Sequence, residues 1–210
     1  MQIILTRHGQ VEGIDPPRFR GRMELELTSV GRQQAVALAK AVSRQFKPDV
    51  VVTSPRKRCQ ATGAEVAQEC GIRTQVQEGF DDFDYGQWQW KTHAEVEAEF
   101  PAESERWQRA PQWMQFPEGE SLQAVALRTT DALRALFVRH KAQTVVLVAH
   151  DSVNRVILTQ ALDLPLSAYW RIQQEPCCIN LLTFDGEMQM RVLRLNDVAH
   201  LHDLNRASRE

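Results

Sequence analysis

The chain has 210 residues, 43% of them apolar and 25% charged, which are ordinary globular values and exclude a disordered, collagenous or coiled-coil protein. Its 25 basic and 27 acidic side chains leave a formal charge of −2, so there is no general electrostatic pull toward nucleic acid or an anionic membrane. The longest apolar runs, such as Val145–Ala149, fall far short of the 18 or more residues of a membrane span, and the start of the chain lacks the pattern of a secretory signal. The expectation is therefore one cytoplasmic domain, residues 1–210. Four cysteines, Cys59, Cys70, Cys177 and Cys178, have no CxxC spacing and are expected as buried thiols rather than bridges or metal ligands.

In chain order, Gln2–Thr6 reads as a strand running into Arg7-His8-Gly9. A loop with Pro16, Pro17, Arg18, Arg20 and Arg22 follows to about Leu27. From Ser29, Ala35, Leu38, Ala39, Val42 and Phe46 recur at helical spacing until Pro48 closes the helix. Val50–Thr53 is a second strand. Ser54-Pro55 has the form of an N-cap with proline at the first helical position, opening a helix that stops at Gly71, and Thr74–Gln77 is a third strand. This β-α-β-α-β start predicts a parallel sheet with helical crossovers.

Residues 80–116 change character, with Phe80, Phe83, Tyr85, Trp88, Trp90, Trp107 and Trp113 among acidic residues and prolines. They read as an insertion of short helices, one over His93–Phe100 behind a Thr92/Glu95 capping box. The aromatics are better taken as its packing than as a ligand platform. A long amphipathic helix starts after Ser121, and Thr144–Ala149 reads as a central strand buried on both faces. A helix around Val153–Leu162 and a hairpin pairing Cys178–Phe184 with Met188–Leu195 across Asp185-Gly186 complete the chain.

Two strand ends thus deliver a histidine to the following loop, His8 and His150, and a third delivers Ser54-Pro55-Arg56-Lys57-Arg58. Ligands of open parallel sheets bind outside the carboxyl ends of the strands. Two imidazoles and several cations around one point suit an anion such as a phosphoryl group.

The Arg7-His8-Gly9 tripeptide, Arg20-Gly21 to Leu27-Thr28 with Gly31-Arg32-Gln33-Gln34-Ala35, the Ser54-x-x-x-Arg58 element, Gly119-Glu120-Ser121, and His150 before Asn154-Arg155 resemble, in order and over nearly the whole chain, the histidine phosphatase superfamily of phosphoglycerate-mutase-like proteins. The resemblance implies a three-layer α/β/α sandwich with a mostly parallel sheet and a helical insertion over the active site. It implies His8 as nucleophile, with a phosphohistidine intermediate, Arg7, Arg58 and His150 around the phosphoryl oxygens, and Asp82, four residues before Gly86, as the proton donor, with Asp84 as runner-up. Gly9, Gln10, Arg20 and Asp151 would bind substrate. Asp151 and Trp90 stand where relatives commonly have Gly, and Asp151 is expected to point away from the phosphate, to solvent or a substrate cation.

The implied activity is metal-independent hydrolysis of a small phosphorylated metabolite, with no cofactor and with neither nucleic acid nor membrane as partner. A mutase using the same phosphohistidine, a non-catalytic phosphate-binding protein, and a metallohydrolase with His8, His150, Asp82 and Asp84 as ligands are the alternatives. The last lacks HxH or HExxH spacing and sits among arginines. The insertion and the final hairpin each offer a face for a homodimer contact.

Overall fold

The structure, a computed structural model, describes residues 1–14, 16–186, 189–202 and 204. Its centre is a six-stranded sheet of order β3-β2-β4-β1-β5-β6, made of β1 (Gln2–Arg7), β2 (Val50–Thr53), β3 (Thr74–Val76), β4 (Thr144–Ala149), β5 (Ile179–Phe184) and β6 (Met190–Asp197). The first four strands run parallel, while β5 pairs antiparallel with β1 and β6 with β5. Central β1 and β4 are continuous apolar runs because helices cover both faces: Ile3, Ile4, Leu5 and Val145–Ala149 have no solvent exposure. Each buried Val, Leu or Ile side chain among them contributes about 1.5–3 kcal/mol.

Period-two alternation splits each strand between two cores. Ile4, Val51, Val146 and Val148 pack under α1 (Ser29–Gln45) and α2 (Lys57–Cys70). Ile3, Leu5, Val50, Val52, Val145 and Leu147 face α5 (Leu122–Arg139), α6 (Asp151–Ala161) and the insertion. This is the three-layer α/β/α arrangement that the alternation of elements implies. The crossover from β1 through α1 reaches β2 by passing over β4, which is inserted between them in the sheet. The carboxyl ends of β1, β4 and β2 therefore lie side by side, with Arg7 level with Ala149 and Thr53 level with Val148.

The insertion folds into 3-10 turns at Glu78–Phe80, Gly86–Trp88 and Pro111–Trp113 and two helices, α3 (His93–Glu99) and α4 (Pro101–Arg109). The Thr92/Glu95 capping box forms in full. Phe83, Trp88, Trp107 and Phe116 are buried and meet edge to face, with Phe116 centroids 4.9–5.0 Å from the other three rings. Trp90 sits at φ 68°, the left-handed region that a glycine would occupy without strain. It is held there by its N–H on the Phe19 carbonyl at 2.6 Å and by the Arg18 guanidinium 5.3 Å from its ring.

Three boundaries differ from the sequence expectation. Ser54 does not cap α2, which begins at Lys57 after an extended Arg56; the Ser54 hydroxyl is engaged by His150 instead, and the Lys57 N–H is capped from another loop by Glu24 Oε2 at 3.2 Å. Helix α6 starts at Asp151, immediately after the histidine, rather than near Val153. The second hairpin strand runs over Met190–Asp197, and Met188, its expected first residue, lies outside the described residues.

Candidate active site

His8 follows β1, and its backbone is clamped from three directions. Its N–H donates to the Ala149 carbonyl at 3.0 Å, the Gly9 N–H to Thr62 Oγ1 at 3.1 Å and the Gln10 N–H to Gln34 Oε1 at 2.9 Å. The loop lies flat on the first turn of α1, where a Cβ on Gly9 or Gly31 would collide with the backbone of Gly31 or Gln10 respectively. The His8 ring is 1% exposed, and its Nδ1 is 2.7 Å from the Gly9 carbonyl. A carbonyl only accepts, so Nδ1 carries the proton and Nε2 keeps its lone pair. Burial, then the positive charge of Arg58, lowers the His8 pKa well below the ordinary histidine value. The ring is thus neutral and held in one orientation.

His150, at the end of β4, meets His8 edge to face at 5.4 Å. Its Nε2 lies 2.7 Å from Ser54 Oγ, and its Nδ1 lies 3.3 Å from Asp82 Oδ2. Since a carboxylate accepts, the proton belongs on Nδ1 and the Ser54 hydroxyl donates to Nε2. Burial and the Arg58 charge lower this pKa as well.

Asp82 joins the strand ends. Oδ2 accepts from Arg58 Nη2 at 2.9 Å, and Oδ1 accepts from Ser152 Oγ at 2.6 Å and the Phe83 N–H at 2.8 Å. Arg58 has no solvent exposure and also donates to the Met23 and Gly21 carbonyls at 2.7 and 2.6 Å. Arg7 donates Nη1 to the Gln174 carbonyl at 2.7 Å, while its buried Nε has no partner among the described residues.

A cavity of about 260 Å³ opens onto this group, and Arg7, His8, Arg20, Asp82 and Asp151 all reach its wall. Arg58 and His150 stand behind that wall, against Asp82. Two of the expected substrate contacts lie elsewhere: Gly9 packs on α1, and Gln10 turns its Oε1 to the Thr28 hydroxyl at 2.9 Å. Asp84 is also away from the cavity, bonded to Arg22 and the Gly86 N–H. Asp151 pairs with Arg155 one turn on, Nε to Oδ1 at 2.9 Å, because α6 begins at Asp151 and places the two side chains on one face. Among the described residues, no group of three or more His, Cys, Asp and Glu side chains is arranged to hold a metal ion, and no helix is long and apolar enough to cross a membrane.

Tyr169, Trp170, Gln173 and Gln174 also line the wall and carry no motif. They come from the segment before β5, which reaches the site through contacts such as the Asn180 Nδ2 bond to Gln174 Oε1 at 2.8 Å. The aromatics of the insertion divide: Phe80, Phe83 and Trp88 are packing, whereas Tyr85 and Trp107 also face the cavity.

The comparisons agree with the geometry. Residues 3–198 match the model of the histidine phosphatase superfamily (branch 1). Phosphoserine phosphatase 1 of Hydrogenobacter thermophilus is 30% identical over 201 residues, covering 96% of this chain and 94% of its own. The metal-independent phosphoserine phosphatase of Arabidopsis thaliana is 31% identical over 173 residues, covering 76% and 69%. Among solved structures, YhfR of Bacillus stearothermophilus superposes with a TM-score of 0.90 at 26% identity, covering 95% of this chain and 98% of that one. A histidine at the end of each central parallel strand, with the family match across nearly the whole chain, places this protein in the histidine phosphatase superfamily, among phosphatases.

Proposed function

We propose that the protein hydrolyses a small phosphomonoester through a phosphohistidine on His8, without a metal. The observation that carries this reading is the commitment of His8 Nδ1 to the Gly9 carbonyl beside Arg7, whose buried Nε lacks an acceptor among the described residues. A nucleophile and an unfilled guanidinium donor then share one cavity wall, which suits a phosphoryl group approached in line.

In this reading Nε2 of His8 attacks phosphorus while the bond to the leaving oxygen breaks. Arg7, Arg58 and His150 stabilise the charge on the phosphoryl oxygens. Arg58 Nη2 exchanges Asp82 for a phosphoryl oxygen when substrate enters. Asp82, a carboxylate at rest, takes the proton that the phosphomonoester monoanion carries, passes it to the leaving oxygen, then accepts one from the water that attacks the phosphohistidine and yields it to the departing phosphate, so that His8 and Asp82 both return to their starting states.

The test is phosphate release from p-nitrophenyl phosphate by wild type and His8→Ala, each with and without EDTA. Activity that survives EDTA, disappears in His8→Ala and leaves an acid-labile phosphoryl group on wild-type protein quenched during turnover is the expected result. Full loss in EDTA, or undiminished turnover by His8→Ala, would overturn it.

A further inference from the structure

The charges around the cavity do not balance. Asp82 is matched by Arg58, and Asp151 by Arg155. Arg155 is further occupied by the Tyr169 and Trp170 rings, 5.4 and 5.2 Å from its guanidinium carbon. Glu175 accepts from the Gln173 amide. Two wall cations have no carboxylate within ion-pairing distance among the described residues, Arg7 and Arg20. Arg7 serves the phosphoryl site. The Arg20 side chain uses only Nη1, on the carbonyls of Gly13 and Arg18, and makes no other side-chain hydrogen bond among the described residues. The other loop arginines are engaged, Arg18 with Glu95 and Arg22 with Asp81, Asp84 and Glu120.

A guanidinium taken out of water without a counter-ion is costly. Burial, and then repulsion from Arg7, push the Arg20 pKa down to about 10, with Asp82, Tyr85 and Asp151 opposing from a distance. It stays charged at neutral pH. Its Nη1 bonds to backbone carbonyls hold it in place, which leaves Nε and Nη2 as an adjacent pair of donors, the fork that binds a carboxylate through two parallel bonds.

We propose that Arg20 is a second anion subsite, and that the substrate is the phosphate ester of a hydroxy acid whose carboxylate binds Arg20 while its phosphoryl group meets His8 and Arg7. This rests on the phosphomonoesterase reading of the same cavity. A carboxylate fits better than a second phosphate. The phosphoryl group already brings close to two negative charges, so a carboxylate takes the ligand to about three and a second phosphate to about four against the two unmatched arginines, which makes the carboxylate the closer match.

The experiment compares three esters with primary-alkyl leaving groups: propyl phosphate, 3-phosphooxypropanoate and propane-1,3-diyl bisphosphate. Wild type and Arg20→Ala are assayed for kcat/KM, and the same esters are titrated calorimetrically into His8→Ala and His8→Ala/Arg20→Ala. The readout is the ratio of acid to propyl ester, which a general loss of folding leaves alone. The ratio is expected to be about tenfold or more in wild type and to collapse toward one without Arg20, with Arg20→Lys keeping part of it. A wild-type ratio near one, a ratio unchanged in Arg20→Ala, or a preference for the bisphosphate over the carboxylate would overturn the proposal. If wild type hydrolyses none of the esters, the phosphatase reading falls by itself, and the binding ratios still decide the Arg20 subsite.

Discussion

Arg128 on α5 donates Nη2 to the Asp82 carbonyl at 3.0 Å across 46 residues of sequence. The same guanidinium reaches the Asp81 and Gly79 carbonyls at 2.6 and 3.1 Å and takes Glu120 through both Nε and Nη2. Glu120 Oε2 in turn accepts the Asp84 N–H at 3.0 Å. Arg128 therefore splints the backbone of the segment that presents Asp82, without reaching the cavity wall itself.

A positioning role for Arg128 predicts a leaving-group signature. Arg128→Gln is expected to lower kcat for alkyl phosphates by about tenfold or more, because in the proposed mechanism a displaced Asp82 cannot deliver its proton. The loss should be much smaller for p-nitrophenyl phosphate, whose leaving group needs little protonation. Rates across esters of graded leaving-group acidity check this, and an equal loss for all of them would leave Arg128 a purely structural residue. Several charge-assisted bonds go at once, so the variant should also lose about 2–3 kcal/mol in urea unfolding.

Two of the buried histidines, His8 and His150, make stability fall on the acid side. Both have pKa values lowered in the folded protein, by burial first and then by the Arg58 charge. In the unfolded chain they titrate near 6.5. Above that pH both states are neutral and the term is absent from the pH slope. Below it the unfolded chain binds protons that the folded one refuses. Stability contributed by the neutral rings is then lost at up to about 1.4 kcal/mol per pH unit per histidine. Unfolding free energies at pH 7.5, 6.5 and 5.5 should show this slope, and His8→Gln should remove the His8 share of it, the rest coming from His150 and from His93 and His200, whose pKa values burial lowers as well. An unchanged slope in that variant would refute the assignment.

Gly31 inverts the usual helix preference. In the interior of a helix, Gly→Ala ordinarily stabilises by about 1 kcal/mol. Here a Cβ would strike the Gln10 backbone that lies across α1, so Gly31→Ala is expected to destabilise by about 2 kcal/mol and to lower activity through the displaced His8 loop. Thermal melts and p-nitrophenyl phosphate turnover measure the two effects. A more stable, fully active Gly31→Ala protein would contradict the close approach.

Local pattern alone determined much of this protein. The apolar run of Thr144–Ala149, the alternating strands and helices, the capping box at Thr92 and the histidines at two strand ends are all set within a few residues, by periodicity and turn chemistry. The motifs that carry the family resemblance are equally local. What only the tertiary structure decided is how polar side chains are shared. Ser54 has the form of a helix cap, but its hydroxyl goes to His150, 96 residues away. Asp82 and Asp84 are indistinguishable by type, yet one meets Arg58 and His150 and the other Arg22. Arg18, Arg20 and Arg22 alternate along one loop, and only the surrounding carboxylates leave Arg20 unmatched among the described residues. Hydrogen bonds and ion pairs act over about 3–4 Å between groups far apart in the chain, so their partners follow from strand order and crossover, which put β4 between β1 and β2.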